Sequence, residues 1–153
     1  MANTFSQIYL QFVFAVKNRE ALIRKENKED LHKYLTALVQ NRKAKMLAVH
    51  CLPDHTHLFV GFDPSILISD FIKEVKVESN QFINSKNWFT SKFAWQNGYG
   101  VFSYSRSQID TVIKYINNQE THHKKKTFRE EYNEFLKKFE VEYKEEYLFD
   151  FFE

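Results

Sequence analysis

Three groups of side chains in this sequence have types and spacing that suit chemistry: His55 and His57, Tyr115 and Gln119, and His122 three residues further on. The run from His55 to Phe62 reads as a strand, where alternate residues share a face. His55, His57 and Phe59 therefore point to one side, and Thr56, Leu58, Val60 and Phe62 to the other. The apolar set belongs against a core, which leaves both imidazoles on the opposite face at a separation suited to holding one cation. Tyr115 and Gln119 form an i, i+4 pair on one flank of a helical stripe of Ile109, Val112, Ile113 and Ile116, and His122 continues that side. A tyrosine, with a pKa of about 10, is a weak nucleophile at neutral pH unless a metal or a base assists it. Taken singly, each group also fits a structural role: an incidental His-x-His, and a partly buried Tyr beside a hydrogen-bonded Gln.

The elements that must position these residues can be read from periodicity. Ile8, Leu10, Phe12, Phe14 and Val16 alternate with Gln7, Tyr9, Gln11 and Val13, which predicts a first strand over 8–16. From 28 to 43 the period becomes helical through Leu31, Tyr34, Leu35, Leu38 and Val39. Strands are expected over 46–52 and 55–62, joined as an antiparallel hairpin at Pro53-Asp54, a pair suited to a tight turn. A second helix is expected over 65–85, capped by Ser65 or Ser69, and a further strand over 100–105. Ser105 or Ser107 is placed to cap the helix that carries Tyr115. The order strand, helix, strand, strand, helix, strand is a split βαβ plan. It predicts an α+β, ferredoxin-like fold: a four-stranded antiparallel sheet, two helices on one face and an additional C-terminal catalytic helix. The other sheet face is then left for function or for a partner.

Composition bounds the class. Leu, Ile, Val and Phe supply 46 of 153 residues, enough for a sizeable core in one domain, and only 3 Gly and 2 Pro exclude collagen-like or low-complexity chains. No apolar run has the length of a membrane span. Met1-Ala2-Asn3-Thr4 lacks the basic and hydrophobic regions of a signal peptide, so a soluble, cytoplasmic protein is expected. The single cysteine, Cys51, reads as a small buried apolar residue. The net charge of +2 hides an asymmetry: residues 129–153 carry four basic and nine acidic side chains, and the rest of the chain eighteen and eleven. A basic body interleaved with aromatics suits a polyanion, although solvated lysines are the commoner explanation of such charge.

Three strings in order carry a resemblance: Leu52-Pro53-Asp54-His55-Thr56-His57-Leu58; Trp95-Gln96-Asn97-Gly98-Tyr99-Gly100-Val101-Phe102-Ser103; and Tyr115-Ile116-Asn117-Asn118-Gln119, with His122-His123 and Thr127-Phe128 downstream. Together they resemble the single-tyrosine transposases of small prokaryotic insertion sequences, members of the HUH superfamily. The resemblance runs from about Tyr9 to Glu131; it departs at Thr56, where the family usually has a hydrophobic residue. It divides the chain into a transposase domain, 1–132, and an acidic aromatic tail, 133–153.

The resemblance implies a strand transferase acting on single-stranded DNA with hairpins at element ends. Tyr115 would be the nucleophile that forms a 5′-phosphotyrosine, and His55, His57 and Gln119 would be ligands of Mg²⁺ or Mn²⁺. It also implies a homodimer, with an active site that can be shared between subunits; the first strand offers a place for edge pairing between them. Lys33, Arg42, Lys43, Lys45, Lys73, Lys76 and His122 are the candidate DNA contacts. The competing readings are a non-catalytic single-stranded nucleic-acid binder, whose open sheet face would stack bases on aromatics, and a domesticated relative that nicks its own repeats.

Overall fold

A computed structural model describes residues 4–152; the expectation for Met1-Ala2-Asn3 lies outside the described residues. Strands β1 (Tyr9–Ala15), β2 (Lys45–Cys51), β3 (His55–Gly61) and β4 (Gly100–Tyr104) form one sheet in the order β2-β3-β1-β4. Every neighbouring pair is antiparallel. Helices α1 (Lys28–Gln40) and α2 (Ile68–Ser85) make the two crossovers, so the ferredoxin-like plan read from the sequence is the one observed.

The alternation in β1 and β3 decides where the core sits. Leu10, Phe12, Phe14, Leu58 and Val60 face α1 and α2 and join Leu31, Leu35, Phe71, Ile72 and Val75 in the main hydrophobic cluster. Phe12 lies 5.5 Å from Phe71, and Phe14 meets Trp95 edge-on at 4.6 Å. Fully burying each such ring contributes roughly 1.5–3 kcal/mol. Cys51 is fully buried in the same cluster, and burial pushes its thiol up to about 12, as its packing role requires.

Local capping differs from expectation at one helix. Neither Ser65 nor Ser69 caps α2; the cap position is Leu67, while Ser65 donates through its N–H and hydroxyl to Asp63 Oδ1 at 2.8 and 2.6 Å. Ser105 does begin the next helical stretch: its N–H donates to Gln108 Oε1 at 2.9 Å, and a 3₁₀ turn over Arg106–Gln108 leads into α3 (Ile109–Asn117). The stretch breaks at Asn118, after which Gln119–His122 forms a short α4.

The second sheet face is not open, contrary to the sequence reading. Val112 and Ile116 of α3 pack on Ala48 and Phe59 over β2 and β3. A further helix, α5 (Phe128–Lys138), covers β1 and β4, where Phe128, Tyr132, Phe135 and Leu136 cluster with Val13, Ala15, Phe102 and Phe149. The end of α5 and Phe149 thus pack onto the sheet while Val141, Tyr143 and Tyr147 stay exposed, and the division expected after residue 132 falls inside α5. Gly100 makes the docking possible, because a Cβ there would stand 2.6 Å from the Tyr132 hydroxyl. The suggested edge pairing through β1 is also overturned: β1 is central, bonded to both β3 and β4, and the edges are β2 and β4.

Candidate active site

β3 begins at His55, opposite Ala15 of β1, and two residues on His57 lies opposite Val13 of β1 and His50 of β2. Both imidazoles project from the face away from α1 and α2, are fully buried, and stand 5.1 Å apart. Each is held through Nδ1: His55 by Asp54 Oδ1 at 2.7 Å, and His57 by Gln11 Oε1 at 2.8 Å. Gln11 is itself fixed, its Nε2 donating to the Tyr104 hydroxyl at 2.7 Å. A neutral imidazole that donates from Nδ1 keeps a bare lone pair on Nε2, so both histidines present Nε2 to the interior of the site. The ring of Phe128 lies flat on His55 at 3.8 Å, fixing its plane.

Facing them is Glu131, from the first turn of α5, only 3% exposed. Its Oε1 stands 3.3 Å from His55 Nε2, 3.2 Å from His57 Nε2 and 3.1 Å from His123 Nε2. The His55 atom completes no hydrogen bond there. The other carboxylate oxygen, Oε2, accepts from the Tyr115 hydroxyl. Burial alone would raise the Glu131 carboxyl, but the three histidines overrule it and hold it far below the usual carboxylate range. Tyr115 moves the other way: burial, then the charge of Glu131, pushes its phenol well above the usual value. Burial opposes charge on both strand histidines, yet Asp54, which accepts from the His55 ring, and the nearby charge of Glu131 raise His55, whereas burial prevails and lowers His57.

The structure therefore brings His55, His57 and Tyr115 together within one chain, joined through Glu131. Gln119 is fully buried one turn past Tyr115; its Nε2 faces the Tyr115 carbonyl at 3.5 Å and its Oε1 has no hydrogen-bond partner. An unpaired buried amide oxygen is costly, and that orphan acceptor fits a cation ligand. His122 stacks on the Tyr115 ring at 4.6 Å. The six basic candidates lie on other parts of the fold, with Lys43 in the turn between α1 and β2. Lys33, Arg42, Lys73 and Lys76 belong to α1, its C-terminal end and α2, across the sheet, and Lys45 starts β2 opposite Gly61, at the end of β3 away from His55. Arg42 is bonded to Glu74 and Glu78, and Lys76 donates to the carbonyls of Gln96 and Gly98 at 2.7 and 2.8 Å.

Sequence reasoning missed Glu131, His123, Asp54 and Gln11 as site residues, and the basic run Lys124-Lys125-Lys126 beside them. A cleft of about 210 Å³ lined by Tyr115, His122, His123, Lys125 and Glu131 opens on one side of the tyrosine. A signal for α5 was present: Thr127-x-x-Glu130 is a capping box, formed here at 3.2 Å, ahead of an aromatic stripe at Phe128, Tyr132 and Phe135. Nothing in its type distinguishes Glu131 from the other acidic residues of the tail.

A split βαβ sheet carrying a paired-histidine strand with a tyrosine helix over it is the architecture of a tyrosine transposase. Residues 4–119 match the family model described as "Transposase IS200 like", and the chain belongs to that family of DNA-cleaving enzymes. The ISDra2 transposase TnpA of Deinococcus radiodurans is 24% identical over 120 residues, covering 74% of this chain and 84% of that protein. Two solved structures share the fold. A candidate transposase of D. radiodurans R1 has a TM-score of 0.62 at 23% identity, covering 78% of this chain and 95% of that one. A REP-associated tyrosine transposase bound to a REP hairpin has 0.59 at 14%, covering 80% and 73%.

Proposed function

We propose that this transposase cleaves and rejoins single-stranded DNA at insertion-sequence ends, with Tyr115 as nucleophile and a divalent cation, Mg²⁺ or Mn²⁺, held by His55 and His57 with Gln119. The observation that carries the reading is the convergence of the Tyr115 hydroxyl and both Nε2 atoms on one buried carboxylate within a single chain. Two imidazole nitrogens and a carboxylate oxygen gathered at one buried point are the donor chemistry of a cation site. Such a cation would polarise the scissile phosphate and stabilise the departing oxygen.

In the reaction the Tyr115 oxygen bonds to phosphorus as the P–O3′ bond breaks, leaving a 5′-phosphotyrosine and a 3′-hydroxyl. The phenolic proton is lost and one is gained at the 3′ oxygen. One ester replaces another, so rejoining needs no nucleotide cofactor. Burial of Tyr115 beside Glu131 opposes formation of a free phenolate.

The partner is single-stranded DNA with hairpins, a reading supported by the hairpin bound to the REP-associated relative. Exposed Lys33, Lys43, Lys45 and Lys73 would track its phosphates, and His122, stacked on the Tyr115 ring, would meet the strand beside the tyrosine. Excision must process two ends, so the working form is a homodimer in which each subunit carries its own Tyr115 and histidine pair. Cytoplasmic placement goes with this activity; among the described residues no helix is long and apolar enough to cross a membrane. The base-stacking binder is disfavoured because α3 and α5 cover the face it would use.

The test is incubation of the protein with single-stranded element ends and Mg²⁺ or Mn²⁺, read on a denaturing gel. A covalent adduct should form with wild type and be absent with Tyr115→Phe. An adduct formed by Tyr115→Phe at the wild-type rate, or equal cleavage of the perfect duplex, defeats the reading.

A further inference from the structure

We propose that His123 and Glu131 complete, with His55 and His57, a four-donor site of three imidazoles and one carboxylate that takes a transition divalent cation such as Mn²⁺, Co²⁺ or Zn²⁺ in preference to Mg²⁺. This rests on the reading of the histidine pair as a cation site and changes its ligand set. The family match ends at residue 119, so both added donors come from the segment beyond it.

Four features of the structure carry the assignment. One donor atom from each of the four residues lies within 4.8 Å of all the others. The carboxylate oxygen stands 3.1, 3.2 and 3.3 Å from the three Nε2 atoms, close to the edge of about 3.3 Å of a tetrahedron with metal–ligand bonds of about 2.0–2.1 Å. Asp54 and Gln11 occupy the Nδ1 atoms of the two strand imidazoles, the outer hydrogen bonds that fix a ligating tautomer. The second oxygen of Glu131 is taken by Tyr115, which leaves the carboxylate one oxygen for an ion. Three imidazoles suit first-row transition ions, whereas Mg²⁺ favours six oxygens.

The experiment is metal titration of the chelator-stripped full chain by calorimetry, with Co²⁺ absorption as a readout of coordination. Wild type should bind one Zn²⁺ per chain, resist competition by excess Mg²⁺, and give with Co²⁺ the intense visible bands of a four-coordinate ion. His123→Ala and the near-isosteric Glu131→Gln should each weaken Zn²⁺ binding at least tenfold and bleach the cobalt bands, with folding checked by circular dichroism. Wild-type affinity in both His123→Ala and Glu131→Gln, with binding lost only in His55→Ala or His57→Ala, overturns this ligand set while leaving the proposed function intact. No binding by wild type, or pale six-coordinate cobalt, also overturns it. The adduct assay on the same preparation then reports separately whether the Tyr115 chemistry survives.

Discussion

The two faces of the sheet are both buried, but they are built by different rules. Under α1 and α2 the contacts are apolar and continuous, with Phe12, Phe14, Phe71 and Leu58 all essentially without exposure. Under α3 and α5 the apolar packing splits into two clusters, one around Phe59 and one around Phe102. Buried polar groups, Gln11, His55, His57, Gln119 and Glu131, lie on this second side. Burying so many polar groups costs stability unless each is hydrogen-bonded or paired with an ion. A fold that gathers its buried imidazoles and carboxylate on one face keeps the first face for stability and the second for chemistry.

The largest expected effect sharpens that division. His57→Ala should lower strand cleavage by roughly 10³-fold or more, as loss of a central catalytic group does, while leaving cooperative unfolding in place. Phe71→Ala on the other face should do the reverse, costing about 3–5 kcal/mol in denaturant melts yet retaining cleavage per folded molecule. If His57→Ala unfolds the protein and Phe71→Ala abolishes cleavage by folded protein, the two faces do not divide the work.

The first face was legible in the sequence because its code is periodic. Alternation at Leu10, Phe12 and Phe14 and the helical stripe of α1 each require only one rule, and the hairpin at Pro53-Asp54 fell where turn chemistry placed it. His55 and His57 were legible through the same alternation. The other half of the site was not. His123 and Glu131 are contributed by segments whose arrival at β3 depends on the break at Asn118, which leaves no periodic trace, and on the docking of α5, whose stripe marks a helix but not the face it covers. The acidic composition of residues 129–153 says nothing of where the segment goes, because its rings, not its charges, decide that.

Within the second face, Phe135→Ala should cost about 3 kcal/mol, near the low end of the range for such truncations, because the ring keeps 8% exposure at the edge of its cluster. It should also loosen α5 and with it the Glu131 contact to Tyr115. Gly100→Ala tests the same docking from the strand side. Its methyl would meet the Tyr132 hydroxyl at 2.6 Å and the Phe102 ring at 3.1 Å, and overpacking of this kind costs about 1–3 kcal/mol. Tyr132→Phe should recover part of that loss. Thermal melts in which Gly100→Ala is as stable as wild type would mean that α5 is not pressed onto β4.

The smallest effect concerns acid sensitivity on the first face. His32 of α1 accepts a hydrogen bond from the Cys51 N–H at 2.9 Å, an arrangement open only to a neutral imidazole. Burial first, and then the nearby charge of Lys28, lowers its pKa to about 4 from the usual 6.5. The folded state therefore binds this proton less readily than the unfolded chain. The stability that follows is fully present above about pH 6.5 and is lost as pH falls from there towards about 4, with no further change below. His50, lowered to about 4 by burial and by Lys28, acts in the same direction. His32→Gln keeps an acceptor near the Cys51 N–H but cannot titrate, so its stability should fall less than that of wild type across this window. Carboxylates elsewhere titrate alike in both proteins and cancel in the difference. Parallel pH profiles for the two proteins between 6.5 and 4 would show that the His32 to Cys51 bond does not depend on a neutral ring.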